Sequence, residues 1–138
     1  MAHALYGYDG ACKNIHGHTY KLSVTIKGIP VDNKKNSKNG MVIDFTDLKA
    51  LVTKHILSKF DHALVLNKNS PHKNIGKELK QQFEKIIFLD TQPTCENLLL
   101  HFIACLKPFF NKKIELVYLR LDETPTSYAE WLSEDIPV

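Results

Sequence analysis

Between residues 19 and 27 apolar and polar positions alternate without a break: Tyr20, Leu22, Val24 and Ile26 on one side, Lys21, Ser23, Thr25 and Lys27 on the other. A period of two marks a strand with one buried face and one wet face. Gly28, Pro30 and the polar stretch 32–40 follow as a turn or loop, and 41–45 reads as a short apolar strand returning to form a long antiparallel hairpin. The period then becomes helical. Phe45, Leu48, Leu51, Val52, His55, Ile56 and Phe60 predict an amphipathic helix over roughly 46–60, capped by Asp44 or Thr46. A second helix is expected from about Asn74 to Lys85, with Ile86–Leu89 as a short apolar segment behind it. Pro93 and Thr94 open a third, with Thr94 as N-cap and Glu96 in the first turn. Leu99, Phe102, Ile103, Leu106 and Phe110 form its apolar stripe, and Pro108 marks its end. Residues 114–121 read as a strand and Ser127–Leu132 as another. Strand pairs with clean alternation, separated by helices, imply an α+β fold: a largely antiparallel sheet with helices on one face. The uncovered face is then expected to be buried by another subunit or by closure into a barrel.

A chain of 138 residues is one domain's worth, and its 43% hydrophobic and 24% charged fractions exclude disordered and disulfide-scaffold classes. No apolar run approaches the ~20 residues needed to span a bilayer and no signal-peptide pattern opens the chain, so a soluble cytoplasmic protein without a membrane partner is expected. Eighteen basic against fifteen acidic residues leave a net charge of +3, too mild for a strong nucleic-acid footprint. Lys34, Lys35 and Lys38 cluster in the expected loop, either as a solvated surface or as a contact for an anionic substrate or RNA. Cys12, Cys95 and Cys105 are too few and too irregularly spaced for a disulfide framework, which fits a reducing compartment; Cys105 falls within an apolar helical pattern and is expected in the core.

Cys12, His16, Gly17 and His18 lead directly into the alternating strand. In extended chain, positions i and i+2 point to one side, so His16 and His18 can offer two imidazoles to one metal ion, whereas a helix would turn them apart. Gly17 points the other way and admits a close approach. His3 is a candidate third ligand on a neighbouring strand. Three neutral imidazoles suit Zn²⁺, and a vacant fourth position is the mark of a catalytic site. An isolated His-x-His pair also occurs without metal, at surfaces and interfaces. Cys12 has two readings: a fourth zinc ligand closing a structural site, or a free thiol acting as base or nucleophile. Asp61 and His62 follow the first helix; His62 either complements the helix dipole or, oriented by Asp61, forms a proton-transfer unit. Glu123 lies where the late strand ends and, taken alone, reads as a solvated loop acid. Thr94 and Glu96 are fully explained as helix-start residues.

Taken together, these segments resemble the 6-pyruvoyltetrahydropterin synthase / 6-carboxytetrahydropterin synthase family. The matching pieces are His3 with Ala2, Ala4 and Leu5; Cys12-x3-His16-Gly17-His18; residues 40–45; Asp61-His62 with Leu66-Asn67; Pro93-Thr94-x-Glu96-Asn97; and Glu123-Thr124, in the family's order and across nearly the whole chain. The resemblance implies a tunnelling fold in which each subunit contributes a four-stranded antiparallel sheet and two main helices. Three sheets would close into a twelve-stranded barrel, and two trimers would stack into a homo-hexamer with active sites between subunits. It further implies that His3, His16 and His18 bind zinc, that Cys12 is the catalytic thiolate, and that Asp61 and His62 complete the proton-transfer set. Glu123 would hold the guanidine-like edge of a pterin ring through two parallel N–H bonds, with Thr94 and Glu96 lining the same pocket.

The three residues between Cys12 and His16 resemble the 6-carboxytetrahydropterin synthases of queuosine biosynthesis. That branch implies a zinc-dependent lyase acting on a pterin triphosphate, 7,8-dihydroneopterin triphosphate, and releasing acetaldehyde and triphosphate. The 6-pyruvoyl branch and a non-catalytic zinc module are the alternatives. The family usually carries roughly ten residues before its first zinc histidine, so a truncated first strand is expected here, and the stretch 69–89 is expected to hold an extra surface helix.

Overall fold

The computed structural model describes residues 1–134. Two sheets share one core. The first takes the order β2-β1-β4-β5, from β1 (Ala2–His3), β2 (His16–Gly17), β4 (Leu64–Asn67) and β5 (Ile86–Leu89). The second takes the order β3-β6-β7, from β3 (Lys21–Gly28), β6 (Ile114–Thr124) and β7 (Ser127–Leu132). The expectation of a fully antiparallel four-stranded sheet is corrected. β3-β6-β7 is antiparallel, but the four-stranded sheet is mixed, with β1 parallel to β4 and β4 parallel to β5. The reason is visible in composition. Residues 63–66 and Ile86–Leu89 are continuous apolar runs, the pattern of strands buried on both faces in parallel pairing.

The hairpin expected between 19–27 and 41–45 does not form either. β3 pairs instead with β6, Lys21 opposite Asp122 through Gly28 opposite Ile114. Residues 31–41 close a loop through Val31 N–H to Met41 O (2.9 Å) and Gly40 N–H to Val31 O (2.8 Å), with Gly40 at φ 81°. Only a residue tolerant of positive φ makes that turn cheaply. Lys38 pairs there with Asp47 and Asp44.

The first helix begins as expected: Asp44 caps α1 (Phe45–Val52) by accepting the Thr46 N–H at 2.8 Å. It continues through a π turn (Thr53–Leu57), in which Ser58 N–H reaches Thr53 O, into α2 (Ser58–Phe60). The next helix, α3, is shorter than the sequence implies, His72–Leu79. It covers β4 and β5, with Gly76 allowing the Phe88 ring to approach. In α4 (Cys95–Leu106) the Thr94 hydroxyl accepts the Asn97 N–H at 3.3 Å, and Lys107–Phe109 ends the helix as a 3₁₀ turn around Pro108.

The core is the contact of α4 with both sheets. Leu98, Leu99, Phe102, Ile103 and Leu106 cluster with Leu116, Leu119, Leu121 and Trp131 of β6 and β7 and with Ile56, Phe60, Val65 and Leu89. The opposite face of β3-β6-β7 is polar and organised. Arg120 binds Asp122 (2.7 Å) and Glu130 (3.1 Å) while its guanidinium lies 3.6 Å over the Tyr128 ring.

Candidate metal centre and active site

Two short strands bring three histidines together. β1 and β2 pair antiparallel with His3 opposite His16, and His18 follows two residues on. Ring centroids are 4.5 Å apart for His3 and His16, 5.0 Å for His16 and His18, and 5.5 Å for His3 and His18. One ring nitrogen from each lies within 4.8 Å of the others.

Their hydrogen bonds fix which nitrogen faces inward. His3 Nδ1 stands 2.6 Å from Pro93 O, and His16 Nδ1 2.8 Å from Asn14 O. A carbonyl only accepts, so both Nδ1 atoms carry the proton and both Nε2 atoms present lone pairs. Among the described residues, the Nε2 atoms of His16 and His18 are buried without a hydrogen-bond partner. Burial lowers the His3 pKa, partly opposed by the Pro93 bond, and so favours the neutral imidazole that ligates metals. Orphaned lone pairs converging in a buried space are costly unless a cation meets them. Imidazoles whose far N–H is anchored on a backbone carbonyl are the usual arrangement around a divalent transition metal. The residues fit such an ion, and the three are positioned to hold one.

Glu123 joins this cluster through a register break. Asp122 pairs with Tyr128 and Thr124 with Ser127, leaving Glu123 as the extra residue of a β-bulge. Bulges re-aim a side chain out of the pleat. Glu123 Oε1 lies 3.5 Å from His3 Nε2 and 3.8 Å from His18 Nε2, and it accepts the Tyr20 hydroxyl at 2.7 Å. Glu123 is thus no solvated loop acid. The Tyr20 oxygen is also 3.3 Å from His3 Nε2, and burial together with the Glu123 carboxylate raises the phenol pKa. Tyr20 is the site residue that its strand alternation conceals.

Asp61 and His62 form the two central positions of a turn. Asp61 has φ −64° and ψ 127°, His62 has φ 60°, and Ala63 N–H reaches Phe60 O at 3.1 Å. These are the angles of a type II turn whose third residue ordinarily is Gly or Asn. His62 Nδ1 lies 3.0 Å from Asp61 Oδ1, and both side chains are exposed. A cavity of about 490 Å³ brings them together with His18, Tyr20 and Phe60.

The remaining candidates stand apart. Cys12 is half-buried in a 3₁₀ turn (Ala11–Lys13), its carbonyl accepting Leu5 N–H at 2.9 Å. It is outside the three-histidine group and does not line that cavity. Thr94 is occupied as the α4 cap and Glu96 is exposed in the first turn; neither lines the cavity. Cys105 is only partly buried, with Sγ 3.5 Å from His101 Nε2, whereas Cys95 is buried and its thiol is pushed up to about 11.

Comparison with known proteins accords with this architecture. A 6-carboxy-5,6,7,8-tetrahydropterin synthase of Haemophilus influenzae is 39% identical over 132 residues, covering 95% of this chain and 91% of that protein. A protein of the same name from Rickettsia typhi is 34% identical, covering 93% and 90%. A 6-pyruvoyl tetrahydropterin synthase of Caenorhabditis elegans shares the fold at TM-score 0.63 and 22% identity, over 96% of this chain and 88% of that one. An uncharacterised protein of Wolinella succinogenes superposes at TM-score 0.75 and 16% identity, over 96% and 92%. Residues 1–134 match the family described as 6-pyruvoyl tetrahydropterin synthase, and with relatives of this identity along nearly its whole length the chain belongs to that family.

Proposed function

We propose that the protein is a zinc-dependent 6-carboxy-5,6,7,8-tetrahydropterin synthase, a lyase converting 7,8-dihydroneopterin triphosphate to 6-carboxytetrahydropterin with release of acetaldehyde and triphosphate, in queuosine biosynthesis in the cytoplasm. The observation that carries this reading is the convergence of three imidazoles, His3 buried and His16 and His18 half-buried, two of whose Nε2 atoms accept no hydrogen bond from the described residues, beside a carboxylate that a bulge aims at them. Relatives bearing that enzyme name support the choice of product.

His3, His16 and His18 would hold the Zn²⁺, which when bound supplies Lewis-acid polarisation of the substrate's side-chain oxygens. Glu123 binds the guanidine-like edge of the pterin as a two-oxygen acceptor. Cys12, as thiolate, takes a proton from the pterin side chain, and His62, oriented by Asp61, moves protons on the cavity side. Thr94 and Glu96 line the substrate pocket once a neighbouring subunit completes it. Three copies close into a barrel and two barrels form a hexamer, which removes the sheet edges left open at β3 and β7.

The test is incubation of purified protein with 7,8-dihydroneopterin triphosphate, with metal content measured alongside. Acetaldehyde and one bound zinc per chain are expected. Triphosphate release without acetaldehyde would transfer the protein to the 6-pyruvoyl branch, the activity named for the Caenorhabditis elegans structure. Cys12→Ala is expected to keep its zinc and lose turnover; loss of zinc and stability together would instead make Cys12 a ligand of a structural site.

A further inference from the structure

We propose that Tyr20 is a positioning residue: its hydroxyl sets the orientation of the Glu123 carboxylate for a planar ligand edge bearing two parallel N–H donors, an inference that rests on the pterin reading above. The first support is register. Lys21 lies opposite Asp122 in the β3–β6 ladder, so one further step along both chains puts Tyr20 opposite Glu123. Cross-strand neighbours at this spacing are within reach of each other's side chains.

The second support is the direction of the hydrogen bond. The phenol oxygen is 2.7 Å from Glu123 Oε1 and 3.3 Å from His3 Nε2. A carboxylate only accepts, so Tyr20 is the donor. His3 gives its own ring proton to Pro93 O, which leaves its Nε2 without a hydrogen to offer. The single phenol proton therefore goes to the stronger, charged acceptor at the shorter distance.

The third support is that Glu123 needs such a restraint. As the extra residue of the bulge it lacks a partner on β7, and its long side chain is a fifth exposed, at 21%. The Tyr20 hydroxyl takes one lone pair of Oε1 and fixes the carboxylate plane, leaving the second lone pair of Oε1 and the whole of Oε2 for the ligand's two N–H donors, which lowers the ordering cost when the ligand arrives. Tyr20 itself is held, with its ring edge-on to His3 at 6.0 Å and to His18 at 5.6 Å between centroids. Its apolar part packs against the core while the residue lines the cavity shared by His18, Asp61 and His62.

Tyr20→Phe keeps the ring and removes only the donor. Binding of neopterin, a pterin without phosphates, is followed by its fluorescence in zinc-loaded wild type, Tyr20→Phe, Glu123→Gln and the double variant, with zinc content measured for each. The expected result is binding about tenfold weaker in Tyr20→Phe at unchanged zinc content, the order of one charge-assisted hydrogen bond. No further weakening is expected when Tyr20→Phe is added to Glu123→Gln. With the triphosphate substrate, KM should rise more than kcat falls. Wild-type affinity in Tyr20→Phe overturns the inference, as does an equal loss in the Glu123→Gln background, since Tyr20 would then act elsewhere. Loss of zinc from Tyr20→Phe also overturns it, assigning the hydroxyl to the metal centre. A wild-type protein that binds no neopterin overturns the pterin reading itself, and the inference with it.

Discussion

His62 holds its backbone at φ 60°, where a side chain bearing Cβ is strained by about 1 kcal/mol or more. Glycine at that turn position would relieve the strain and give back a similar amount through the unfolded chain's freedom. His62→Gly is therefore expected to melt within about 1 kcal/mol of wild type while turnover falls roughly a hundredfold or more, as for a lost proton-transfer group. A large loss of stability, or full activity, would argue that the imidazole is present for packing. His101 makes a separate statement about acid. Burial lowers its pKa below 6.5, with Lys59 adding to the effect, so the unfolded chain takes up a proton there before the folded one does. Its stabilising share is present above 6.5 and is lost as pH falls from 6.5 toward the lowered native value. Urea unfolding across that interval should show a shallower dependence on pH for His101→Gln than for wild type. At this scale much of the candidate site was legible: the i, i+2 spacing of His16 and His18 implies their common side, and their rings meet at 5.0 Å. Tyr20 was not, because its partner Glu123 lies 103 residues away and alternation reports only which side of a strand is apolar.

Among elements, the first and last helices are legible in the sequence, the bounds of α3 are not, and strand pairing is the least legible, for a physical reason. A helix closes its hydrogen bonds locally, so the stripe from Phe45 to Phe60 and the Thr94 cap carry most of what is needed. A strand's partner is chosen by the whole chain. β3 shows its faces plainly, yet it pairs with β6 rather than with the nearby 41–45 segment. β4 is hidden because the short apolar run 63–66, ended by Asn67, has no period to detect, although such a run is itself the mark of a strand buried on both faces. The junction that the loop makes with β3 can be tested at Gly28. A Cβ there would sit 2.7 Å from Val42 Cγ1 and 2.8 Å from Lys113 O, the latter backbone beside the ladder partner of Gly28. Gly28→Ala should cost about 1–3 kcal/mol by overpacking, read as a lowered melting temperature with the metal content kept. An unchanged melting temperature would mean that the loop yields freely.

For the molecule as a whole, the histidine group couples fold to ligand. A metal that binds only the folded chain stabilises it by mass action, about 2.7 kcal/mol at a hundred times its dissociation constant. For a domain of this size a strong chelator should lower the melting temperature by on the order of 10 °C, and zinc should restore it. Indifference to both would remove the metal from the architecture. The segment joining β5 to α4 determines how widely such a change would be felt. Pro93 orients the His3 ring through its carbonyl, and Thr94 starts α4. The Gln92 side chain grips both the N–H and the C=O of Tyr6, in the loop that carries Cys12. Three consecutive residues thus act as a clasp: seating an ion would tighten a ring, a thiol-bearing loop and a core helix in one movement, and prising the ion out would slacken all three together.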